Sequence, residues 1–245
     1  MPGTPSDFPL REYYSSIYST YDRVNRIFTF GRDTAWRRKA VSACLFSGPE
    51  SVLDICTGTG DFILEVAREA GKKGKPVHLT GYDFSGEMLQ EARRKLKLLQ
   101  DHEDILKIRF IEGDVADMPF GEETFDAIGI TFGIRNLLYG NSNAGKHLEE
   151  ILRVLKPGGR LVVLESSKPE NRGWRMLNNI YLRFVLPYLG GVVSGSLKAY
   201  SYLGKSSRDY YTAKEMGSIL EGAGFRLISS DSLFMGSVML VVAGK

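Results

Sequence analysis

Residues 52–62 read VLDICTGTGDF. An apolar run with one acid inside it, Val52 to Ile55, meets a loop with two glycines, and an apolar-periodic segment starts at Asp61. This is a strand turning through a glycine loop into a helix. In a doubly wound sheet the first strand abuts the point where strand order reverses, and ligands bind beyond its carboxyl end. Gly58 and Gly60 let the backbone turn tightly and approach a ligand, while Thr59 offers a hydroxyl and an amide. A dinucleotide fingerprint would need a third glycine three residues after Gly60, where Ile63 stands, and Asp61 would place a negative charge beside the pyrophosphate. NAD is disfavoured. A phosphate-cradling P-loop is excluded, because no Gly-Lys-Ser/Thr follows.

Downstream of this loop, short β-rich runs alternate with helical patterns, which predicts a largely parallel sheet with crossover helices. Seven strands are expected: SVLDI, PVHLTGYD, IRFIEGD, FDAIGIT, GRLVVLES, FRLISSD and SVMLVVAG. Helices are expected around 61–70, 85–99, 144–155 and 213–222. The last two strands are joined by too few residues for a parallel crossover, so they should form an antiparallel hairpin. Before the sheet, Ile17, Tyr21, Val24 and Phe28 recur at helical spacing, with Gly31 ending the segment. Asp33 is then expected to cap a second helix through Trp36, Ala40, Val41 and Leu45 that stops at Gly48-Pro49. The expectation is one α/β, Rossmann-like domain over 1–245. It comprises a helical cap (1–48), a ligand-binding core (49–170), a helical insertion (171–210), and a C-terminal helix and hairpin (211–245).

Composition narrows the partners. The chain has 245 residues with a hydrophobic share of 43%, enough for a sizeable core, and a net charge of +3, which makes no case for nucleic acid. Cys44 and Cys56 sit in apolar segments and point to neither a disulfide framework nor zinc, so a reduced, intracellular chain is the simpler reading. His78, His102 and His147 lack partners at ligand spacing, and no metal is expected. MPGTPSDFPL is not built like a signal peptide and no apolar run spans a bilayer, so a cytoplasmic location is expected.

Two further acids define the ligand. Asp83 ends the second strand about 20 residues after the loop, where a carboxylate can accept both hydroxyls of a ribose; the competing reading is a helix cap, which Ser85 could supply. In Gly113-Asp114-Val115, ending the third strand, a carboxylate can take the exocyclic amine of adenine and a backbone amide a ring nitrogen; the competing reading is a turn aspartate. Asp54 either shapes the glycine loop or satisfies its amides. Together these features specify an adenosine without a polyphosphate.

That is the pattern of class I S-adenosylmethionine methyltransferases, and the sequence resembles the ubiquinone and menaquinone biosynthesis C-methyltransferases. The stretches that carry the resemblance are YDRVNRIFTFGRDTAWRR (21–38), LDICTGTGD (53–61), MPFGEETFDAIGITFGIRN (118–136), RVLKPGGRLVVLESSKP (153–169), and SYLGKSS (201–207) with the later GFR. LDxxxGTGD and KPGG say only methyltransferase, while TFGIRN and LESSKP narrow the family. Thr57 departs from the glycine expected there, and a β-branched residue has poor access to φ > 0, so a shifted loop is expected.

The resemblance implies S-adenosyl-L-methionine as cofactor, held by Asp54, Gly58, Thr59, Gly60, Asp83, Asp114, Val115 and Thr131, and a prenylated quinol as acceptor. Demethylmenaquinol is the leading acceptor and the polyprenyl benzoquinol its variant. Other readings are a different aromatic or lipid acceptor, or a non-catalytic cofactor-binding assembly protein. Arg135, just beyond a central strand, would favour the negative charge that develops on the quinol oxygen. The proton acceptor is left open between Tyr21, Asp61 and a water near Arg135. His147 reads as structural. Tyr200, Tyr202 and Arg208 are expected, by resemblance, to line the quinol pocket. The stretch from Asn171 to Arg208 contains no acid but carries six basic residues among aromatic and apolar ones, which suits peripheral contact with an anionic membrane surface. Oligomeric state is open, a homodimer included.

Overall fold

The computed structural model describes Tyr14, Ile17, Tyr18 and residues 20–245 except 75 and 99–105. The N-terminal decapeptide and His102 lie outside the described residues. A seven-stranded sheet runs in the order β3-β2-β1-β4-β5-β7-β6. Its strands are β1 (Ser51–Ile55), β2 (Val77–Asp83), β3 (Leu106–Glu112), β4 (Phe125–Thr131), β5 (Leu155–Ser166), β6 (Arg226–Leu233) and β7 (Val238–Gly244). All neighbouring pairs from β3 to β5 are parallel, and β7 is antiparallel to both β5 and β6. The chain goes outward through β2 and β3, then returns to the other side of β1 with β4, so the crevice of strand reversal opens between β1 and β4.

Alternation along the strands divides the core. Leu53, Ile55, Ile128, Ile130, Leu161, Val163, Met239 and Val241 pack on one face, while Val52, Ala127, Val162, Leu164, Leu240 and Val242 pack on the other. Both sets are buried, which explains why the central strands read as nearly continuous apolar runs. Each fully buried Leu or Val contributes about 1.5–3 kcal/mol over an exposed one.

The cap consists of α1 (Tyr21–Phe28) and α2 (Asp33–Cys44). Asp33 does not cap α2 as expected: Arg32 holds that position, and Asp33 is buried in the first turn, accepting the Thr29 hydroxyl at 2.9 Å. The acid is used to join the two helices. Between the strands lie α3 (Asp61–Lys72), α4 (Gly86–Lys97), a short α5 (Ile134–Leu138) and α6 (Ala144–Val154). Ser85 caps α4 by accepting the Met88 amide, which leaves Asp83 free of that task.

The insertion folds as α7 (Arg172–Ile180), a π turn (Tyr181–Val185), α8 (Leu186–Ser194) and α9 (Leu197–Arg208). Gly190 of α8 packs against the Tyr200 ring so closely that a Cβ there would overlap it. A capping box of Thr212 and Glu215 then starts α10 (Ala213–Gly222), which leads to the hairpin. At the hairpin turn Phe234 and Met235 both have positive φ, which turns Phe234 between Trp36 and Trp174, each with ring centroids 5.7 Å away.

Candidate active site

The glycine loop leaves β1 through Cys56, not Thr57, in the left-handed region, with φ 55°; Gly58 and Gly60 follow at 55° and 83°. The loop is thus set so that the β-branched Thr57 avoids positive φ and Cys56 takes it. Thr57 instead donates its hydroxyl to Asp54 Oδ2 at 2.5 Å and donates its amide to the Tyr82 carbonyl, tying the loop to β1 and β2. Phe132, at the end of β4, also has φ 55°, and the adjacent Gly133 leaves room for Cys56: a Cβ at that glycine would collide with the cysteine side chain. Two non-glycine residues thus hold a conformation costing roughly 1–3 kcal/mol each at the crevice mouth.

Asp83 lies across the loop. Its Oδ2 accepts the Gly58 amide at 2.8 Å and its Oδ1 the Ser85 amide at 2.9 Å. A carboxylate has about four acceptor sites, so capacity for two ribose hydroxyls remains. Burial pushes Asp83 up to about 6 against those amides, and burial pushes Asp54 up to about 7 against the Thr57 hydroxyl. Asp54 Oδ1 is buried without a hydrogen bond.

The cap is latched onto this loop. The Thr59 hydroxyl donates to Asp22 Oδ1 at 2.7 Å, and Lys95 bonds Thr59, Asp61 (2.6 Å) and Asp22. Arg37 bridges Asp33 and Asp61, each at 3.4 Å, while its Nε has no partner. Burial would raise Asp61, but Arg37 and Lys95 together hold it below the usual carboxylate range.

These groups enclose a cleft of about 700 Å³, open on one side, with Cys56, Thr57, Gly58, Thr59, Asp61, Asp83, Met88, Thr131 and Asn136 in its lining. Asp54 holds the loop through the Thr57 hydroxyl, and Gly60 packs closely against Ala92 of α4. Val115 is buried at the end of β3, whereas Asp114 is largely exposed and caps the following turn by accepting the Ala116 amide at 2.9 Å. Asp114 is not part of the cleft lining, so its turn role is what the structure shows. His147 is buried, with Nδ1 2.9 Å from the Leu137 carbonyl.

A second cavity, of about 940 Å³, shares Tyr21, Asn25, Asp33, Arg37 and Phe132 with the first as a common wall. The rest of its lining is mostly apolar: Phe28, Trp36, Tyr181, Leu182, Leu186, Leu203 and Phe234. Into it are set Arg135, at 1% exposure, and Glu165, at 0%. Arg135 Nε lies 3.7 Å from Glu165 Oε1, the Arg135 amide donates to Oε2 at 3.3 Å, and Arg135 Nη1 donates to the Ser206 hydroxyl. Burial raises Glu165, opposed by Arg135 and by backbone amides. Burial and the neighbouring Tyr14 push Tyr21 well above the usual phenol value, so it stays neutral and can donate but not accept a proton.

Three expected pocket residues do not line either cavity, although Tyr202 is near enough to act electrostatically on Arg135. Tyr200 is fully buried in a small core with Ile17, Val24, Leu186 and Ala199. Tyr202 is half-buried and lines neither cavity; its carbonyl accepts the Ser206 hydroxyl at 2.8 Å. Arg208 pairs with Asp209 at 3.3 Å and faces an outer groove with Arg172, Arg175 and Arg183. The face of α9 turned to the cavity carries Leu203 and Ser207 instead, residues without a chemical signature in the sequence. Glu165 lies within the LESSKP motif, yet sequence reasoning gave it no role; an acid ending an otherwise apolar strand was the available signal. Arg37 gave no such signal.

The donor set suits S-adenosyl-L-methionine. Asp83 retains acceptor capacity at the loop, the glycines admit close backbone approach, and Arg37 carries an unpartnered, buried Nε on the wall between the two cavities. A loop without phosphate-binding features, beside a second cavity for an acceptor, defines a methyltransferase that uses this cofactor.

Comparison with known proteins particularises the class. Residues 6–245 match the ubiE/COQ5 methyltransferase family, and the chain belongs to it. It is 39% identical to the demethylmenaquinone methyltransferase of Thermus thermophilus, over 86% of this chain and 90% of the relative. Identity is 37% with that of Deinococcus radiodurans (89% and 85% covered) and 34% with that of Oceanobacillus iheyensis (99% and 98%). Among solved structures, a SAM-dependent methyltransferase from Aquifex aeolicus superposes with TM-score 0.54 at 22% identity (79% and 81% covered). Human N-acetylserotonin methyltransferase in complex with SAM gives 0.58 at 20% (92% and 57%). These two share the fold.

Proposed function

We propose that this chain methylates a ring carbon of a prenylated quinol, with demethylmenaquinol as the leading acceptor and a polyprenyl benzoquinol as its variant. The observation that carries the reading is the apolar cavity that shares a wall with the cofactor cleft and into which the fully buried guanidinium of Arg135 is set. The curated relatives' name, demethylmenaquinone methyltransferase, supports the same acceptor. Bound S-adenosyl-L-methionine supplies an electrophilic methyl group on sulfur. Asp83 accepts the ribose hydroxyls, with Gly58, Thr59 and Gly60 shaping the loop, Asp54 bracing it, and Thr131 at the crevice. Asp114 and Val115 lie outside the cleft lining and are assigned to the adenine from the resemblance alone, Asp114 alongside its turn hydrogen bond.

Arg135 stabilises the oxyanion from which the ring carbon takes its nucleophilicity, an effect strengthened by the dry, apolar wall. Tyr21, on the common wall, donates a hydrogen bond and helps set the ring in line with the methyl group. The test is methyl transfer from labelled cofactor to a short-chain demethylmenaquinol, with the benzoquinol and a simple catechol in parallel. Transfer to the naphthoquinol foremost is the expected result; transfer to the catechol alone would overturn the acceptor assignment.

The same reading includes peripheral membrane contact. Among the described residues no helix is long and apolar enough to cross a membrane. The helices that wall the acceptor cavity through Leu182 and Leu186 expose Met176, Leu177, Ile180, Phe184 and Leu189 outward, beside Arg172 and Arg183. A prenyl tail residing in lipid could then reach the cavity across these helices, with the arginines on anionic headgroups. Replacing Arg172 and Arg183 by Gln should abolish sedimentation with phosphatidylglycerol vesicles. Unchanged sedimentation sinks the membrane role, and a homodimer seen by light scattering that the apolar substitutions Met176→Ser and Phe184→Ser dissolve would assign the face to a second copy.

A further inference from the structure

Glu165 ends β5 as a fully buried acid in the wall of the acceptor cavity. Its Oε1 accepts the Ser166 amide at 2.8 Å and its Oε2 the Arg135 amide at 3.3 Å, and the Ser166 hydroxyl also bonds the carboxylate, leaving about one of its four acceptor sites unused. A purely structural mate for Arg135 would meet the guanidinium in a bidentate fork. Here the approach is 3.7 Å, too long for a hydrogen bond, and Arg135 Nε has no partner. Both groups therefore keep unspent capacity in the same wall. The other candidates are worse placed: Tyr21 is held neutral, and Asp61 is committed to Lys95 and Arg37 in the cofactor cleft.

We infer that Glu165 is the general base that takes the hydroxyl proton of the acceptor, an inference that rests on the quinol reading above. The quinol O–H bond breaks, its electron pair stays on the quinol oxygen, and the proton forms an O–H bond on Glu165. Arg135, until then the counter-charge of the carboxylate, becomes the counter-charge of the quinolate. The site's net charge is unchanged, so the transfer creates no new net charge in a low-dielectric cavity. The ring carbon next to that oxygen then bonds the methyl carbon as the S–CH3 bond breaks, its pair leaving on sulfur. The displaced ring hydrogen passes as a proton to the ring oxygen, and the proton on Glu165 is the one the overall transfer releases.

The groups that face Glu165 are Arg135 on α5, Cys56 on the loop, Tyr14 and Tyr21 at the cap, and Tyr210 beyond α9, with Asp33 and Arg37 on the same cavity wall. Burial raises the tyrosines and the cysteine, so none of them can produce a loss of rate on acidification.

The wild type is assayed first, and failure to methylate any quinol removes the acceptor reading rather than the base. Once transfer is established, Glu165→Gln should lower kcat about 10²–10⁴-fold and remove its own share of the fall in kcat on acidification, leaving the share of Asp83 and Asp54 in the cofactor cleft. Cofactor affinity by calorimetry should stay within about threefold. An acceptor naphthol made acidic enough to be ionised at assay pH should recover most of the rate. A variant within about twofold of wild type, an acidic limb unchanged from wild type, or a slow rate that the acidic naphthol does not recover would each overturn the assignment. Should that variant not fold, Glu165→Asp keeps the charge beside Arg135 and withdraws its oxygens by one methylene. Lower kcat at unchanged KM is then expected, and wild-type kcat overturns the inference.

Discussion

The cofactor cleft and the acceptor cavity meet along one wall and are built on opposite plans. The cleft carries the denser set of polar groups, and its decisive geometry is made by short-range chain: the loop 56–61, held by Asp54 through the Thr57 hydroxyl and by Asp83 through the Gly58 and Ser85 amides. The cavity is apolar, assembled from both cap helices, the ends of β4 and β5, the insertion and the hairpin turn, and its chemistry is concentrated in Arg135 and Glu165. A site for a polar cofactor can be encoded by one motif and a few strand-end acids. A site for an apolar acceptor depends on which side chains distant elements happen to bring together, and a fully buried charge pair in it interacts strongly because the surroundings are of low dielectric.

Among variants that leave Glu165 in place, the largest effect should come from removing the cation on the cavity side. Arg135→Met is expected to lower turnover about 10²–10³-fold while cofactor affinity holds, because the lost interaction is made only as negative charge develops. It should also destabilise the fold by roughly 3–5 kcal/mol, since Glu165 is left buried without a counter-charge. The double variant Arg135→Met/Glu165→Met should regain that stability and remain inactive, which separates folding from catalysis. Wild-type turnover by the single Arg135→Met variant in a radiolabel assay would end the comparison at its strongest point.

On the cleft side, Asp83→Asn is expected to weaken the cofactor about 10–100-fold, the worth of charge-assisted hydrogen bonds to two hydroxyls. At saturating cofactor, kcat should stay within about threefold. Calorimetry with S-adenosylhomocysteine reads the first effect and steady-state kinetics the second. A matched loss of kcat would mean that the two sites are less separable than their construction suggests.

This division also governs what could be read before the structure. The sheet, its reversed strand and the loop were legible because alternation, strand-end acids and glycine spacing are local signals, and SVLDI became β1 residue for residue. Arg135 was legible as an arginine at the crevice; its partner was not, because the Arg135–Glu165 approach joins residues 30 apart through the packing of α5 on β5. Tyr200, Tyr202 and Arg208 misled because aromatic and basic residues attract functional readings, whereas the rotation of α9 decides which of its residues face the cavity. The shifted loop that Thr57 implied was legible, but not that Cys56 would take the positive φ, because the room for the cysteine is made by Gly133, far along the chain.

The acids of the cleft predict a pH dependence of stability. Asp54, raised by burial to about 7, and Asp83, raised to about 6, both bind protons more tightly folded than unfolded. The stability they contribute is fully present below the unfolded carboxylate value near 4 and is lost as pH rises through 6 to 7. The cofactor-free protein should therefore melt at lower temperature at pH 8 than at pH 5.5, with Asp54→Asn flattening that slope. The cost at pH 8 is on the order of a few kcal/mol. A melting temperature that rises from pH 5.5 to 8 in wild type would show that the loop does not hold these acids as described.

The smallest effect sharpens the boundary of the cavity. Ser207 and Arg208 are neighbours on α9, yet Ser207 is buried in the cavity lining and Arg208 lies in the outer groove, paired with Asp209. Ser207→Leu should raise KM for a soluble quinol roughly tenfold by filling acceptor space, in line with the 1–3 kcal/mol typical of overpacking. Arg208→Ala, measured with the same soluble acceptor, should change KM by less than about twofold, as expected of an exposed ion pair. The choice of acceptor matters: a prenylated quinol presented in anionic vesicles could respond to Arg208 through the membrane face alone. If the soluble quinol also loses affinity in Arg208→Ala, the acceptor extends past α9 into the basic groove, and the cavity continues into the surface that faces lipid.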